Sequence, residues 1–490
     1  MTKLVDREVE QQRLLGLLGQ GAPQLVLLYG RRRVGKTFLI TNAWPTETRV
    51  FYFTAAETTA GQNRSALLDA MRTFTGEQLD DEDFQSWRNV FRHLIEMDGA
   101  GPLVVVLDEF QYLGDGTDDG LRDVASQLNA VWEAKRPHRP LVFVLCGSSI
   151  RLLETLNQSG SPLYGRFEWT CRLQPFNYWY AAELAPFSAL RDRVMMYCVF
   201  GGTPRYLASI TTRHSLVDNI ATLCLAREGT VRQLVETALV QEQGLRDHAT
   251  YNALLRAIGA GNTELNRIQQ DAAIGTADLT ATRDKLERLI ALGYVRKERN
   301  FAAKNTQSYR YRLADPALAF YFTFVTRYQG MLEQYDARAV FDAQIAKQFN
   351  TYVGLQFEQV AQQAYRRLQP LRNLPMEQQW GRWEGKDRDG ASLDVDVVSR
   401  LADGRMMTGG IKWNAEPLAS SWQHHHIANL KRLAHAGQGW AHEALDPDAQ
   451  ILWVAAGGFA SDFADAVRTT HRHAVLLTLD DLYSQTGKGG

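Results

Sequence analysis

At 490 residues, 45% hydrophobic and 22% charged, the chain has the makeup of a globular protein large enough for several cores. Its 54 lysines and arginines nearly balance 55 aspartates and glutamates, which excludes a globally basic nucleic-acid coat and leaves any DNA contact to a local patch. Cys146, Cys171, Cys198 and Cys224 lack paired metal spacing and read as reduced, buried thiols, while the absence of a signal-peptide core or a membrane-length apolar run predicts a cytoplasmic protein that meets no membrane.

Up to Phe176, short apolar strands alternate with helical stretches: Gln24 to Tyr29, Arg49 to Phe53, Leu103 to Leu107, Leu141 to Cys146 and Phe167 to Leu173. This rhythm predicts an α/β domain over 1–176 with a largely parallel sheet and its ligand at the carboxyl ends of the strands. The first strand runs into Gly30, Arg31, Arg32, Arg33, Val34, Gly35, Lys36 and Thr37, followed by Phe38, a complete G-x-x-x-x-G-K-T loop between strand and helix. The glycines let backbone N–H groups wrap a phosphate chain, Lys36 brings a mobile cation to the β and γ phosphates of ATP, and Thr37 offers a hydroxyl to Mg²⁺. Leu103 to Phe110 reads as a buried strand ending in two acids. Asp108 is expected to hold Mg²⁺ through its water shell, and Glu109, facing the other way off a period-2 strand, to polarise the attacking water. Ser148, just past the strand ending at Cys146, stands where a polar sensor of the γ-phosphate belongs.

Residues 177–247 are helical in pattern around Gly201-Gly202-Thr203-Pro204-Arg205-Tyr206-Leu207, whose glycines and proline force a fixed turn, and are expected to form a lid. Over 248–316, helices at Tyr251 to Ile258, Leu265 to Ala273 and Ala277 to Leu292 precede two strands, Gly293 to Arg296 and Ser308 to Leu313, in the order of a winged helix-turn-helix. The third helix and wing carry Arg283, Lys285, Arg288, Arg296, Lys297, Arg299, Lys304, Arg310 and Arg312 against Asp284, Glu287 and Glu298. That surface suits either a DNA-reading face or a solvated face on a rigid connector. From 317 to 490 an aromatic stretch, Phe320 to Phe324, expected to pack against the wing, leads into a second α/β unit with a helix from Tyr352 to Glu358 and strands at Leu393 to Val398 and Gly410 to Trp413.

Taken together, Val5 to Glu8, the phosphate loop, Asp108 to Leu113, Ser161 to Arg166, Gly201 to Leu207 and Gly354 to Glu358 resemble the archaeal-type ATPase family, a STAND-like branch of the P-loop ATPases with a C-terminal restriction-endonuclease-like domain. The resemblance runs nearly end to end. It implies a multidomain α/β fold: a P-loop ATPase with a parallel sheet, a helical lid, a winged helix-turn-helix and a PD-(D/E)XK nuclease-like domain. It also implies that Arg7 and Glu8 lie near the adenine, and that Arg166 or Arg205 senses the γ-phosphate unless each is simply a salt-bridge residue. Similar nuclease folds carry a helix glutamate, a strand aspartate, and an acid two residues before a lysine. Glu358, Asp396 and Lys412 fit, but Gly410 stands where the second acid belongs. Asp394 shares a strand face with Asp396, and Glu384 or Glu416 are the remaining acids that could enter the site. His424, His425 and His426 are read as an exposed helical face, since adjacent helical residues cannot converge on one ion. The expectation is an ATP-hydrolysing regulatory switch whose nuclease-like domain binds DNA or a protein partner without cutting. The alternatives are an ATP-gated DNA nuclease acting in defence against foreign DNA, and a DNA-binding regulator that holds nucleotide without hydrolysing it.

Overall fold

The structure is a computed structural model that describes residues 5–97, 99–134, 140–240, 242, 245, 247–274, 279–302 and 309–485. Two compact units emerge. The first contains the described residues up to Phe176, the segment Thr203–Arg205 and the described residues of 241–246; the second contains Asn177–Gly202, Tyr206–Val240 and the described chain from Asp247 onward. The segment expected as a lid is thus divided between the two.

In the first unit the elements run α1 (Glu8–Leu18), β1 (Pro23–Tyr29), α2 (Lys36–Asn42), β2 (Arg49–Thr54), α3 (Ala60–Thr75), α4 (Trp87–Glu96), β3 (Leu103–Asp108), α5 (Asp118–Ala134), β4 (Leu141–Gly147), α6 (Ile150–Thr155) and β5 (Trp169–Arg172). The strands form one sheet in the order β2-β3-β4-β1-β5, every pair parallel. Strands β3 and β4 are buried along their whole length, and β1 from Gln24 onward, as expected of a sheet covered by helices on both faces. Because β4 lies between β1 and β3, the loops after all three strands open side by side. That crossover, where strand order departs from chain order, is the usual ligand crevice of an open α/β sheet.

In the second unit α7 (Tyr178–Leu184), α8 (Leu190–Phe200), the second half of α9 (Pro204–Leu207), α10 (Leu216–Asn219) and α11 (Thr230–Val240) precede three helices and a hairpin: α12 (His248–Gly259), α13 (Leu265–Asp271), α14 (Leu279–Ala291), β6 (Val295–Arg299) and β7 (Tyr309–Leu313), the last two antiparallel. The expected helix start at Ala277, the strand start at Ser308 and the wing cation Lys304 lie outside the described residues. Next come α15 (Pro316–Phe320), a π-helical turn at Tyr321–Val325, α16 (Gln329–Leu332), α17 (Ala337–Val340) and the 27-residue α18 (Ala346–Arg372). The aromatic stretch packs on α12 and α18: a Cβ at Gly259 would meet Phe322 at 2.6 Å, and the rings of Phe320 and Phe324 lie 5.9 and 5.2 Å from Tyr352.

A mixed sheet closes the unit. Strands β8 (Glu377–Lys386), β9 (Ser392–Leu401) and β10 (Met406–Lys412) form an antiparallel meander; after α19 (Ser421–His435) and α20 (Gly439–Ala444), β11 (Gln450–Ala455) adds parallel to β10, and after α21 (Phe463–Arg468), β12 (His473–Thr478) adds parallel to β11 before α22 (Leu479–Leu482). Asn300 pins the hairpin to this sheet, donating to the Glu384 carbonyl at 2.6 Å and accepting from the Glu384 N–H at 2.8 Å. In α19, His424 and His425 are exposed as expected, but His426 is not. It is buried, with Nε2 3.1 Å from the Thr408 hydroxyl, because a 15-residue helix packed on a sheet must turn one position in three or four inward. Burial lowers the His426 pKa to about 4.

Candidate active site

The phosphate loop spans the end of β1 and the first turn of α2. Gly35 precedes the helix at φ 95°, and a Cβ on Gly30 would meet the Leu173 carbonyl oxygen at 2.5 Å, so both positions demand glycine. Lys36 is buried, and its Nζ donates to the carbonyls of Gly30 at 2.8 Å and Arg31 at 3.1 Å. Val34 is buried beneath the loop, whereas the Phe38 ring is half exposed on the outer face of α2. Arg32 reaches Tyr112 Oη at 3.4 Å, and Arg31 and Arg33 both have partners of their own.

Thr37 Oγ1 donates to Asp108 Oδ2 at 3.2 Å, joining the first residue past the loop lysine to the last residue of β3. Tyr52, from neighbouring β2, donates its hydroxyl to the same oxygen. Burial, reinforced by that bond, raises the Tyr52 pKa, so the phenol stays a proton donor to Asp108. A hydroxyl and a carboxylate at this separation are hard oxygen ligands of the kind Mg²⁺ takes.

Glu109 departs from the expected geometry. Strand β3 ends at Asp108, and Glu109 adopts φ 52° at the head of a 3-10 turn, Phe110–Gly114, so strand alternation does not set its direction. Three donors set it instead. Glu109 Oε2 accepts from Gln111 Nε2 at 2.6 Å, from the Ser148 N–H at 3.0 Å and from Ser148 Oγ at 2.9 Å. Ser148 follows β4, the strand between β1 and β3, and the sheet order therefore brings it to Glu109. Tyr52 carried no signal in the chain, because its contact with Asp108 depends on β2 lying beside β3, and the role of Gln111 depends on the local turn that brings its amide back to Glu109.

Arg7 is buried beside the loop. It donates to the carbonyls of Val34 at 3.2 Å and Gln174 at 2.8 Å, and lies 4.7 Å from the centre of the Phe176 ring, while Glu8 starts α1 exposed. Arg166 pairs with Glu133 at 3.0 Å on the surface. Arg205 belongs to the short segment whose Pro204 Cγ stands 3.8 Å from the position of a Cβ on Gly35.

The second unit gathers the other acids singled out in the chain. Glu358 on α18, Glu384 on β8 and Asp394 on β9 all pair with one guanidinium, that of Arg382, at 2.7, 2.8 and 3.1 Å. Asp396, buried, accepts from Lys412 Nζ at 2.7 Å and from the Ile411 N–H at 3.1 Å. Burial raises the Glu358 pKa to about 6 against the pull of Arg382. Glu416 is exposed in the loop after β10. Gly410 pairs across the ladder with Trp453, whose buried ring covers it: a Cβ there would lie 2.5 Å from Trp453 Cζ3. Among the described residues, no group of three or more metal-binding side chains is positioned to hold an ion.

Among known proteins, residues 4–210 match a family described as an ATPase domain predominantly from Archaea, and residues 321–426 match a family described as Archaea bacterial proteins of unknown function. An uncharacterized protein of Methanocaldococcus jannaschii is 24% identical over 414 residues, which span 84% of this chain and 87% of that protein. Similar solved structures include a Walker-type ATPase of Pyrococcus abyssi, at TM-score 0.47 and 20% identity over 65% of this chain and 96% of that one. Another is the ORC2 protein of Aeropyrum pernix with ADPNP and ADP, at TM-score 0.44 and 17% identity over 68% and 95%. No helix among the described residues is long and apolar enough to cross a membrane. The family matched over residues 4–210 and the geometry at Lys36, Thr37 and Asp108 agree on a nucleotide-binding P-loop ATPase domain, whose sheet and phosphate loop lie in the first unit.

Proposed function

We propose that this protein is an ATP-hydrolysing regulatory switch whose second unit combines a winged helix with a nuclease-like α/β domain that binds without cutting. The observation that carries the hydrolytic part is the fixed Glu109 carboxylate, held by three donors next to the Thr37–Asp108 pair. A carboxylate locked in this way orients a water toward the γ-phosphorus; the bond to the bridging oxygen breaks, and ADP and phosphate leave. Thr37 and Asp108 would hold Mg²⁺, which when bound neutralises charge on the phosphates. The loop N–H groups and Lys36 grip the phosphate chain. Arg205, in the segment whose Pro204 lies beside Gly35, is the arginine we assign to the γ-phosphate, and Arg166 is read as a surface partner of Glu133. Arg7, which donates to the Val34 and Gln174 carbonyls, would brace the loop and lie near the adenine.

Arg382 favours the non-cutting reading over an ATP-gated nuclease, because its guanidinium occupies the space among three carboxylates where a metal ion would sit and offsets part of their charge. DNA or a protein is the partner class for this unit. The test is ATP turnover with and without DNA. Lys36→Ala should lose ATP affinity, whereas Glu109→Gln should keep it and trap uncleaved ATP; equal turnover in wild type and Glu109→Gln removes Glu109 from the mechanism. Plasmid and linear DNA should stay intact in Mg²⁺ or Mn²⁺, and cleavage abolished by Asp396→Ala or Lys412→Ala would overturn the second half of the proposal.

A further inference from the structure

A cleft of about 810 Å³ opens in the second unit between the C-terminal end of α12, the π-helical turn Tyr321–Val325 and the first turns of α18. Five cations line it, Arg256, Arg296, Arg312, Arg327 and Lys347, against a single carboxylate, Asp271. Arg256, Arg327 and Lys347 are exposed, and among the described residues none of the three pairs with a carboxylate. This is unlike the hairpin cations, where Lys297 pairs with Glu287, Arg310 with Glu264, and Arg312 with Glu298. Three of the five cleft cations are therefore without a carboxylate partner among the described residues, while Arg296 and Arg312 pair with Glu298.

Arg296 and Arg312 also line a second cavity of about 360 Å³, which ends at Arg382, Glu358 and Asp396. The two cavities follow one face of α18, from Lys347 through Thr351, Leu355 and Gln359 to Gln362. At the helical rise this is a track of about 22 Å. Along it the cations give way to amides, and at the far end six cations meet four carboxylates. The hydroxyl of Thr351 and the amide of Gln356 offer neutral donors to phosphate oxygens, and Leu355, 45% exposed, supplies apolar contact. A positive, concave track with apolar faces is the makeup of a site for a single nucleic-acid strand, and its length suits about four nucleotides, the low end of such sites.

We propose that this cleft binds single-stranded nucleic acid through its phosphates, the strand lying along α18 with one end at the Arg382 cluster. The proposal rests on the reading of the second unit as a module that binds without cutting, and it names the surface and the form of the ligand.

The test is fluorescence anisotropy of the full chain with a labelled oligothymidylate across a salt series. Reversal of the three cleft cations (Arg256→Glu, Arg327→Glu, Lys347→Glu) should weaken binding at least about tenfold and lower the slope of log K against log salt by about 2, at roughly 0.7 per phosphate contact. A neutral triple variant to Gln should show the same sign with a smaller loss, and guards against a folding defect. Reversal of three exposed cations elsewhere in the unit (Lys431→Glu, Arg468→Glu, Arg472→Glu) should leave affinity within about threefold. Equal losses in the two reversal sets, or tighter binding of a duplex of the same length, would overturn the cleft proposal while leaving nucleic-acid binding by the unit intact. No binding of any nucleic acid by the wild-type chain would overturn both. If poly-glutamate bound at the cleft cations and the oligonucleotide did not, the cleft would belong to an acidic protein segment and the proposal would fall.

Discussion

Gly409 and Gly410 make the sharpest test of the second sheet, because two adjacent glycines on β10 face different obstacles. A Cβ on Gly409 would lie 1.7 Å from the carbonyl oxygen of Leu452, its partner in the parallel ladder; a Cβ on Gly410 would meet Trp453 Cζ3 at 2.5 Å and two more ring atoms at 3.0 Å. Real Cβ contacts almost never fall below 3.0 Å, so Gly409→Ala has to open the backbone pairing of β10 with β11. Gly410→Ala has only to displace a side chain. That side chain is itself held, since Trp453 Nε1 donates to Gln423 Oε1 at 2.8 Å and its ring packs on Phe463 at 5.5 Å. Overpacking of a tight core costs about 1–3 kcal/mol, and Gly410→Ala belongs in that range. Gly409→Ala belongs above it, because a ladder hydrogen bond is lost together with the steric cost. Gly410→Glu, the change that would restore an acid two residues before Lys412, adds an unpartnered carboxylate to the same clash and should destabilise the unit more than Gly410→Ala without conferring DNA cutting. Urea unfolding followed by tryptophan fluorescence measures all three variants. Wild-type stability in Gly410→Ala, or in Gly409→Ala, would refute the packing argument.

Removing the donors that fix Glu109 should act on turnover, not on binding: the double variant Ser148→Ala, Gln111→Leu should lower kcat about tenfold at nearly constant ATP affinity, checked by phosphate release and equilibrium nucleotide binding. Glu358, with its folded pKa raised to about 6 from an ordinary 4.5, favours the folded state fully below pH 4.5 and loses that advantage as pH rises through 6, by about 2 kcal/mol. Glu358→Gln should therefore gain stability relative to wild type at pH 7 and lose that gain by pH 4 in parallel urea titrations. His426 runs the other way. Its folded pKa of about 4 lies below the usual 6.5, so its contribution is complete above pH 6.5 and is lost as pH falls through 4, by about 3 kcal/mol. His426→Gln should flatten that acid limb, and an unchanged limb would mean the ring is not buried neutral.

Much of the ATPase site is legible in the chain because its chemistry is local. Gly30 to Thr37 must follow one another to wrap a phosphate, and the acids at Asp108 and Glu109 end a run of buried β-residues, so spacing and pattern carry the signal. What pattern could not supply is direction. Strand alternation assigns Glu109 a face, but the strand stops one residue earlier and the positive φ re-aims the side chain toward Ser148. The same limit applies in α19, where three consecutive histidines look alike until packing on β10 buries the third. Arg382 had no signature at all. It meets Glu358 and Asp394 only because the β8–β9 meander folds back under α18. The ring of Trp453 over Gly410 likewise depends on β11 joining β10 in parallel, a pairing 43 residues apart that no periodicity announces.

The two carboxylate clusters show how one residue type is committed to different ends. Asp108 is partnered by hydroxyls, from Thr37 and Tyr52, and Glu109 by an amide, a hydroxyl and a backbone N–H. Neutral donors orient a carboxylate while leaving its charge uncancelled, so the field needed to bind a divalent ion and polarise a water survives. Glu358, Glu384, Asp394 and Asp396 are partnered instead by the cations Arg382 and Lys412, which occupy their oxygens and offset part of their charge in place. A metal ion would have to displace a guanidinium that is already paired with three separate carboxylates, and Mg²⁺, which gives up its own water reluctantly, gains little by doing so. Arg382 and Lys412 in turn are not spare, each being tied to the acids it faces, whereas in the cleft along α18 Lys347, Arg327 and Arg256 have no carboxylate partner among the described residues. Chemistry that depends on a free carboxylate is thus concentrated in the first unit, and attraction for a polyanion in the cleft of the second.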